Sequence, residues 1–170
     1  MAGPRRFVIN SGLGWPKDEK MADAIARSLA KAEALCRGRG AALTPIRRQV
    51  LELVLKAGRP VGAYTLLADL ERKLGKAMPP TVYRALDFLM EQGFVHKIES
   101  QNAFVACLDL DHAHRSQFIL CTECGKSVEL LDDSLSASLD RRAADLGFAV
   151  TQQIVEIRGI CPDCRAKAVA

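Results

Sequence analysis

Apolar residues recur at helical spacing over four successive stretches in the first half of the chain. Over 18–37, Met21, Ile25, Leu29, Ala32 and Leu35 fall near one face, with Lys and Arg opposite, and Gly38 and Gly40 end the run. Thr44-Pro45 then supplies a hydroxyl N-cap followed by a proline at the first helical position. Ile46, Val50, Leu53, Val54 and Ala57 continue that stripe until Gly58 and Pro60 stop it. A third helix is predicted over 63–74, with Leu66, Leu67, Leu70 and Leu74 inward and Gly75 as its close. Pro79-Pro80-Thr81 opens a fourth, ended by Gly93. Its inner stripe is Val82, Ala85, Leu86 and Leu89, while Tyr83, Arg84 and Asp87 project outward.

The period then shortens. FVHKIE and AFVAC read as two strands separated by polar Ser100, Gln101 and Asn102. A hairpin directly after three helices is the winged-helix arrangement, in which the first residues of the last helix, here Thr81, Tyr83 and Arg84, reach base edges in the major groove. With the turn centred on Gln101-Asn102, His96 falls opposite Cys107 across the ladder, which suits two ligands of one ion. Beyond the polar LDLDHAHRS, the strands QFILC and SVEL flank CTECG. A helix over 134–146 carries Leu135, Leu139, Ala143 and Leu146 on one face, and a third strand is predicted over 152–158.

The pattern therefore predicts an α+β chain. A flexible tail over 1–18, in which Arg5 and Arg6 could touch phosphate, precedes a winged-helix DNA-binding domain over 19–108. A linker over 109–116 leads to a small α/β dimerisation domain over 117–170. A small sheet covered by one helix leaves apolar surface over, which favours a homodimer.

Composition narrows the setting. With 49% hydrophobic and 26% charged residues the chain is able to bury a core. A net charge of +4 admits nucleic acid as a partner. No apolar run approaches the roughly 18 residues of a membrane span, and MAGPRRF lacks the apolar segment of a secretory signal. The expected location is cytoplasmic, where paired CxxC motifs indicate metal or redox chemistry before structural disulfides.

All three histidines and three of the six cysteines lie between His96 and Glu129. Cys121-x-x-Cys124 and Cys161-x-x-Cys164 each direct two sulfurs to one point, and together predict a closed, tetrahedral structural zinc site. A thioredoxin-like redox role fits less well, since it expects CxxC near a βαβ pattern. A second cluster, His96, Cys107, His114 and Glu129, draws on the wing, the linker and the second domain, and a metal held there would act as a clasp between the domains. His112 competes with His114 for one place, and Asp109 and Asp111 with Glu129. Cys36 has no Cys or His near it in sequence and reads as a structural thiol.

LTPIRRQVLELVL, GAYTLLADL, PPTVYRALDFLMEQGFVHKIESQNAFVAC, the H-x-H before QFILCTECG, and the final CPDC resemble the ferric uptake regulator superfamily over about residues 25–165. Within it they look like the zinc uptake regulator branch. The resemblance implies a dimeric, zinc-dependent repressor of zinc-uptake genes, with no catalytic residues and no small-molecule substrate. Cys121, Cys124, Cys161 and Cys164 match the family's structural zinc ligands, and His96, Cys107, His114 and Glu129 its regulatory ones. Tyr64 and Arg84 match positions that contact bases; Arg37, Arg47, Arg48 and Lys97 are expected on phosphates. Iron- and peroxide-sensing branches usually carry a denser histidine run than His112-Ala113-His114, and a Cys107 thiolate shifts preference towards zinc. A zinc enzyme with an open coordination place is the remaining alternative, but no H-E-x-x-H motif and no obvious general base support it.

Overall fold

The computed structural model describes residues 6–10, 19–76, 78–107, 109–110, 115 and 117–168, with the backbone alone for 6–10, 19 and 20. The expectations for Arg5, Asp111, His112 and His114 fall outside the described residues.

The four expected helices are present as α1 (Glu19–Gly38), α2 (Pro45–Ala57), α3 (Ala63–Leu74) and α4 (Pro79–Glu91). Thr44 takes the extended N-cap conformation without a side-chain cap bond, so the start of α2 rests on Pro45, whose fixed φ is already helical. Gly58 ends it at φ +57°, where a side chain would be strained. The predicted stripes meet in one core that includes Ile25, Leu29, Val50, Leu66, Leu86 and Leu89. Leu74 departs from its stripe: at the last turn of α3 it is 43% exposed.

The wing is a hairpin of β3 (Val95–Ile98) and β4 (Ala103–Ala106), with β2 (Val61–Gly62) added on the other side of β4. Its register corrects the expectation: His96 faces Val105, not Cys107. The loop runs through a 3-10 turn, Glu99–Gln101, and Asn102 at φ +46°. That moves the turn centre back by one residue, to between Ser100 and Gln101, so the partner of His96 shifts by two. A shift of two preserves the side of the sheet, and Cys107 stays on the His96 face as a diagonal neighbour. The two faces of the wing have different destinations. Val95, Phe104 and Ala106 join the helical core, whereas Ile98 and Val105 pack with Phe118 and Leu120 of the second domain.

The second domain is a sheet of order β1-β6-β5-β7, built from β5 (Gln117–Cys121), β6 (Ser127–Leu131), β7 (Val155–Gly159) and β1 (Arg6–Asn10). Strand β1 overturns the expected tail for these five residues, pairing antiparallel with β6 from Arg6↔Leu131 to Asn10↔Ser127. Phe7, Val8 and Ile9 suit a strand, and the outer edge of β6 offers unpaired backbone groups. Helix α5 (Asp133–Asp145) crosses one face, capped by Asp132, whose carboxylate accepts from the Ser134 and Leu135 amides. β7 begins three residues later than predicted, and the CPDC tail is a short helix, α6 (Pro162–Lys167).

The predicted inner face of α5 is not buried within one chain. Ser136 is its one buried residue, whereas Leu139 is 42% and Leu146 76% exposed. Among the described residues, no helix is long and apolar enough to cross a membrane.

Candidate metal centres

The first cluster is assembled at one end of the second sheet. Cys121 ends β5, and a tight turn through Gly125, at φ +70°, brings Cys124 back beneath it. The Thr122 amide donates to the Gly159 carbonyl at 2.9 Å, which fixes this turn to the end of β7. Cys161 caps α6, and Cys164 lies in its first turn. The four sulfurs lie within 4.8 Å of one another, with Cys124 Sγ 3.7 Å from Cys161 Sγ. A tetrahedron with metal–sulfur bonds of about 2.3 Å has edges of about 3.8 Å, so the Cys124 and Cys161 sulfurs stand at zinc spacing.

The protonation of these thiols is uneven. Backbone amides of Cys124 and Cys161 donating to its sulfur bring the Cys121 thiol down to about 6. Hydrogen bonds to the sulfurs of Cys161 and Cys124 push the Cys164 thiol up to about 12. Four adjacent sulfurs repel a full set of negative charges, and a divalent cation is what removes that repulsion. Lys126 and Asp163, 3.3 Å apart, tie the two knuckles together outside the sulfurs.

The second cluster spans the domains. His96 projects from β3, Cys107 follows the end of β4, and Glu129 sits in the middle of β6. One donor atom from each lies within 4.8 Å of the others. His96 Nε2 is 3.2 Å from Glu129 Oε1, close to the N···O edge of about 3.3 Å that tetrahedral zinc sets. Glu129 has no exposed surface and Cys107 is 4% exposed. A charged carboxylate buried in mid-sheet calls for a cationic counterpart, which a metal held with His96 would supply. The thiol of Cys107 donates to the Asp109 carbonyl at 3.2 Å, and among the described residues the carboxylate that meets His96 and Cys107 is that of Glu129. An N, S, O donor set with one thiolate suits zinc better than iron.

On the helical domain, Tyr64 at the start of α3 is 76% exposed, and Tyr83 and Arg84 on α4 are exposed beside half-buried Thr81. Arg84 makes no hydrogen bond or ion pair among the described residues. Arg47 differs. Its guanidinium lies 3.6 Å over the Phe88 ring and donates to the Ala42 carbonyl, holding α2 to α4. Lys97 pairs with Glu99 at 2.6 Å, near the wing tip. Arg37 and Arg48 are exposed, and Arg37 lies 3.8 Å from Glu33. Cys36 is buried in the helical core, where desolvation raises its thiol above the ordinary range.

Two contacts between distant segments had no signal in the sequence. Arg115 Nη1 donates to both carboxylate oxygens of Asp140 on α5 at 2.6 Å. Glu156 on β7 accepts from the amides of Glu99 and Ser100 at the wing tip.

This architecture is shared with known proteins. The model of the ferric uptake regulator family matches residues 38–158. The zinc uptake regulation protein of Escherichia coli strain K12 is 42% identical over 137 residues, 80% of each chain. Among solved structures, a zinc uptake regulator complexed with zinc and DNA superposes with a TM-score of 0.83 at 39% identity, covering 86% of this chain and 98% of that one. The crystal structure of holo XcZur gives 0.75 at 48% identity, covering 81% and 96%. The chain belongs to the ferric uptake regulator family.

Proposed function

We propose that the chain is a zinc-responsive transcriptional repressor that binds double-stranded operator DNA as a homodimer and controls genes for zinc acquisition. One observation carries this reading: His96 and Cys107 from the wing meet Glu129 from the second sheet at ligand spacing. A donor set divided between two domains links occupancy to their relative angle. Similarity to regulators that bind zinc and DNA supports the same reading.

Two zinc ions per subunit are assigned. Cys121, Cys124, Cys161 and Cys164 hold the structural ion, and His96, Cys107 and Glu129 the regulatory one, with His114 as the fourth ligand. Zinc held by these residues would supply positive charge that offsets the thiolates at the first place and the Cys107 and Glu129 donors at the second. His96 and Cys107 then hold the root of the wing to β6, which orients α4 for the major groove. The response is limited by the difference in zinc affinity between the two arrangements, and DNA tightens zinc reciprocally. Arg84, Tyr64, Thr81 and Tyr83 face the bases on this reading. Exposed basic residues such as Arg48 face phosphate, while Lys97 reaches it only on leaving Glu99.

Exposed Leu139, Leu146, Phe148 and Ile157 form the surface a second subunit covers. The protein acts in the cytoplasm, as a regulator and not as an enzyme.

The test is DNA binding titrated against free zinc. Wild type gains affinity as zinc rises, and Cys107→Ser loses that dependence while keeping its structural zinc. Unchanged zinc dependence in Cys107→Ser would overturn the assignment.

A further inference from the structure

Three residues form one row across the second sheet. Phe118 on β5 pairs with Glu129 on β6 and with Glu156 on β7, so all three side chains leave the same face. That face looks towards the wing, and each member meets a different part of it. Glu129 reaches His96 near the root, and the Phe118 ring lies 5.9 Å from the His96 ring. At the far end, Glu156 Oε1 accepts from the Glu99 amide at 2.6 Å, and Oε2 from the Ser100 amide at 3.2 Å. Between the two ends lies a cleft of about 440 Å³, lined by Met90, His96, Lys97, Phe118, Gln153 and Glu156 among others. The wing is thus gripped at root and tip, with incomplete packing between.

We propose that Glu156 is a positioning residue for DNA binding: a second, metal-independent clasp whose carboxylate holds the wing tip and turns occupancy of the His96/Cys107/Glu129 site into one defined domain angle. The inference rests on the zinc-responsive reading above. A single grip at the root leaves the wing free to swing about that point. A second grip, some residues away along the hairpin, removes the swing. The bonds are charge-assisted, and they fall on two backbone amides beyond the end of the β3–β4 ladder. A glutamine at 156 has the same length but is neutral, and its NH2 would face one of the donors.

The zinc-loaded dimer of wild type is compared with Glu156→Gln, and with Glu156→Ala as a second variant. Three quantities are read: amide hydrogen exchange at Glu99 and Ser100, zinc content, and DNA affinity at saturating and at limiting zinc. Both variants are expected to remain dimers with unchanged zinc content. Their Glu99 and Ser100 amides exchange at least about fivefold faster. DNA affinity at saturating zinc falls about tenfold, with no change at limiting zinc, where only the structural site is filled. A merely structural role would lower both affinities together, and that result overturns the proposal, as does unchanged exchange or unchanged affinity at saturating zinc. Failure of the zinc-responsive reading is seen separately, as wild-type DNA affinity indifferent to zinc.

Discussion

The helical domain and the second domain solve the problem of burial differently. In the first, α1 to α4 and one face of the wing close on each other, and Leu66, Leu70, Leu86 and Leu89 have no exposed surface. In the second, Phe118 and Leu120 are the large buried apolar side chains of β5, and they are covered by the wing, a part of the other domain. The opposite face carries α5 yet leaves Leu146 at 76% and Phe148 at 71% exposed. One domain is self-contained. The other relies on cover from outside itself: the wing lies on one face, and on the proposed reading a metal would close its cysteine end and a second subunit its helix face. On that reading the second domain is suited to reporting metal, because its order would be conditional on ligands.

The contrast is tested most severely at the cysteines. Structural zinc contributes on the order of 10–16 kcal/mol to small folded units. Cys161→Ser is therefore expected to abolish cooperative folding of the second domain and with it the dimer, while α1 to α4 persist. Far-UV circular dichroism with size-exclusion chromatography checks this; a dimer that survives in Cys161→Ser would refute it. Next in size is the helix face. Joint Leu146→Asp and Phe148→Asp substitution should weaken the dimer by at least about 100-fold, since central apolar anchors cost about 2 kcal/mol or more each when lost. Zinc at the four cysteines is expected to remain, because neither side chain supports that end of the sheet. Sedimentation at several concentrations gives the answer.

The smallest effects separate two arginines of the self-contained domain. Arg84→Ala is expected to lower DNA affinity by about 1–3 kcal/mol and leave the melting temperature unchanged. Arg47→Ala should do the reverse. Losing its stacking on Phe88 and its bond to Ala42 costs about 1–2 kcal/mol of stability. Its effect on DNA affinity is expected to be minor. Equal loss of DNA affinity in both would restore Arg47 to the phosphate-contacting set predicted from sequence.

Much of this was legible beforehand, and the reasons are local. The helices of the first domain announce themselves through 3.6-residue stripes bounded by Pro45, Gly58, Gly75, Pro79 and Gly93, each acting through its own backbone preferences. The cysteine quartet was readable because each CxxC is a short-range unit. Where the expectation failed, the deciding term was non-local. RFVIN reads as a tail until the edge of β6, more than a hundred residues later, offers it a partner. The face of α5 predicted to be buried is apolar as expected, but its cover is no part of the same chain.

The segment from His96 to Glu129, with its histidines and cysteines, shows the same division. Donor identity was written in the order of residues: thiolates spaced for one ion, and a mixed set spaced for another. Which donors meet was decided by packing. His96 does not face Cys107 across the ladder as counted from the turn, since Asn102 in a left-handed conformation moved the register. They remain neighbours because a strand alternates with a period of two. Glu129 joins them because β6 passes beneath the wing, and Glu156 reaches the wing tip because β7 lies parallel to β5 with Phe118 between. Sequence determined the helices, the turns and the types of donor residue through interactions that reach a few residues. Tertiary structure alone decided the row of Glu129, Phe118 and Glu156 under the wing, because strand order and register depend on contacts that no local pattern encodes.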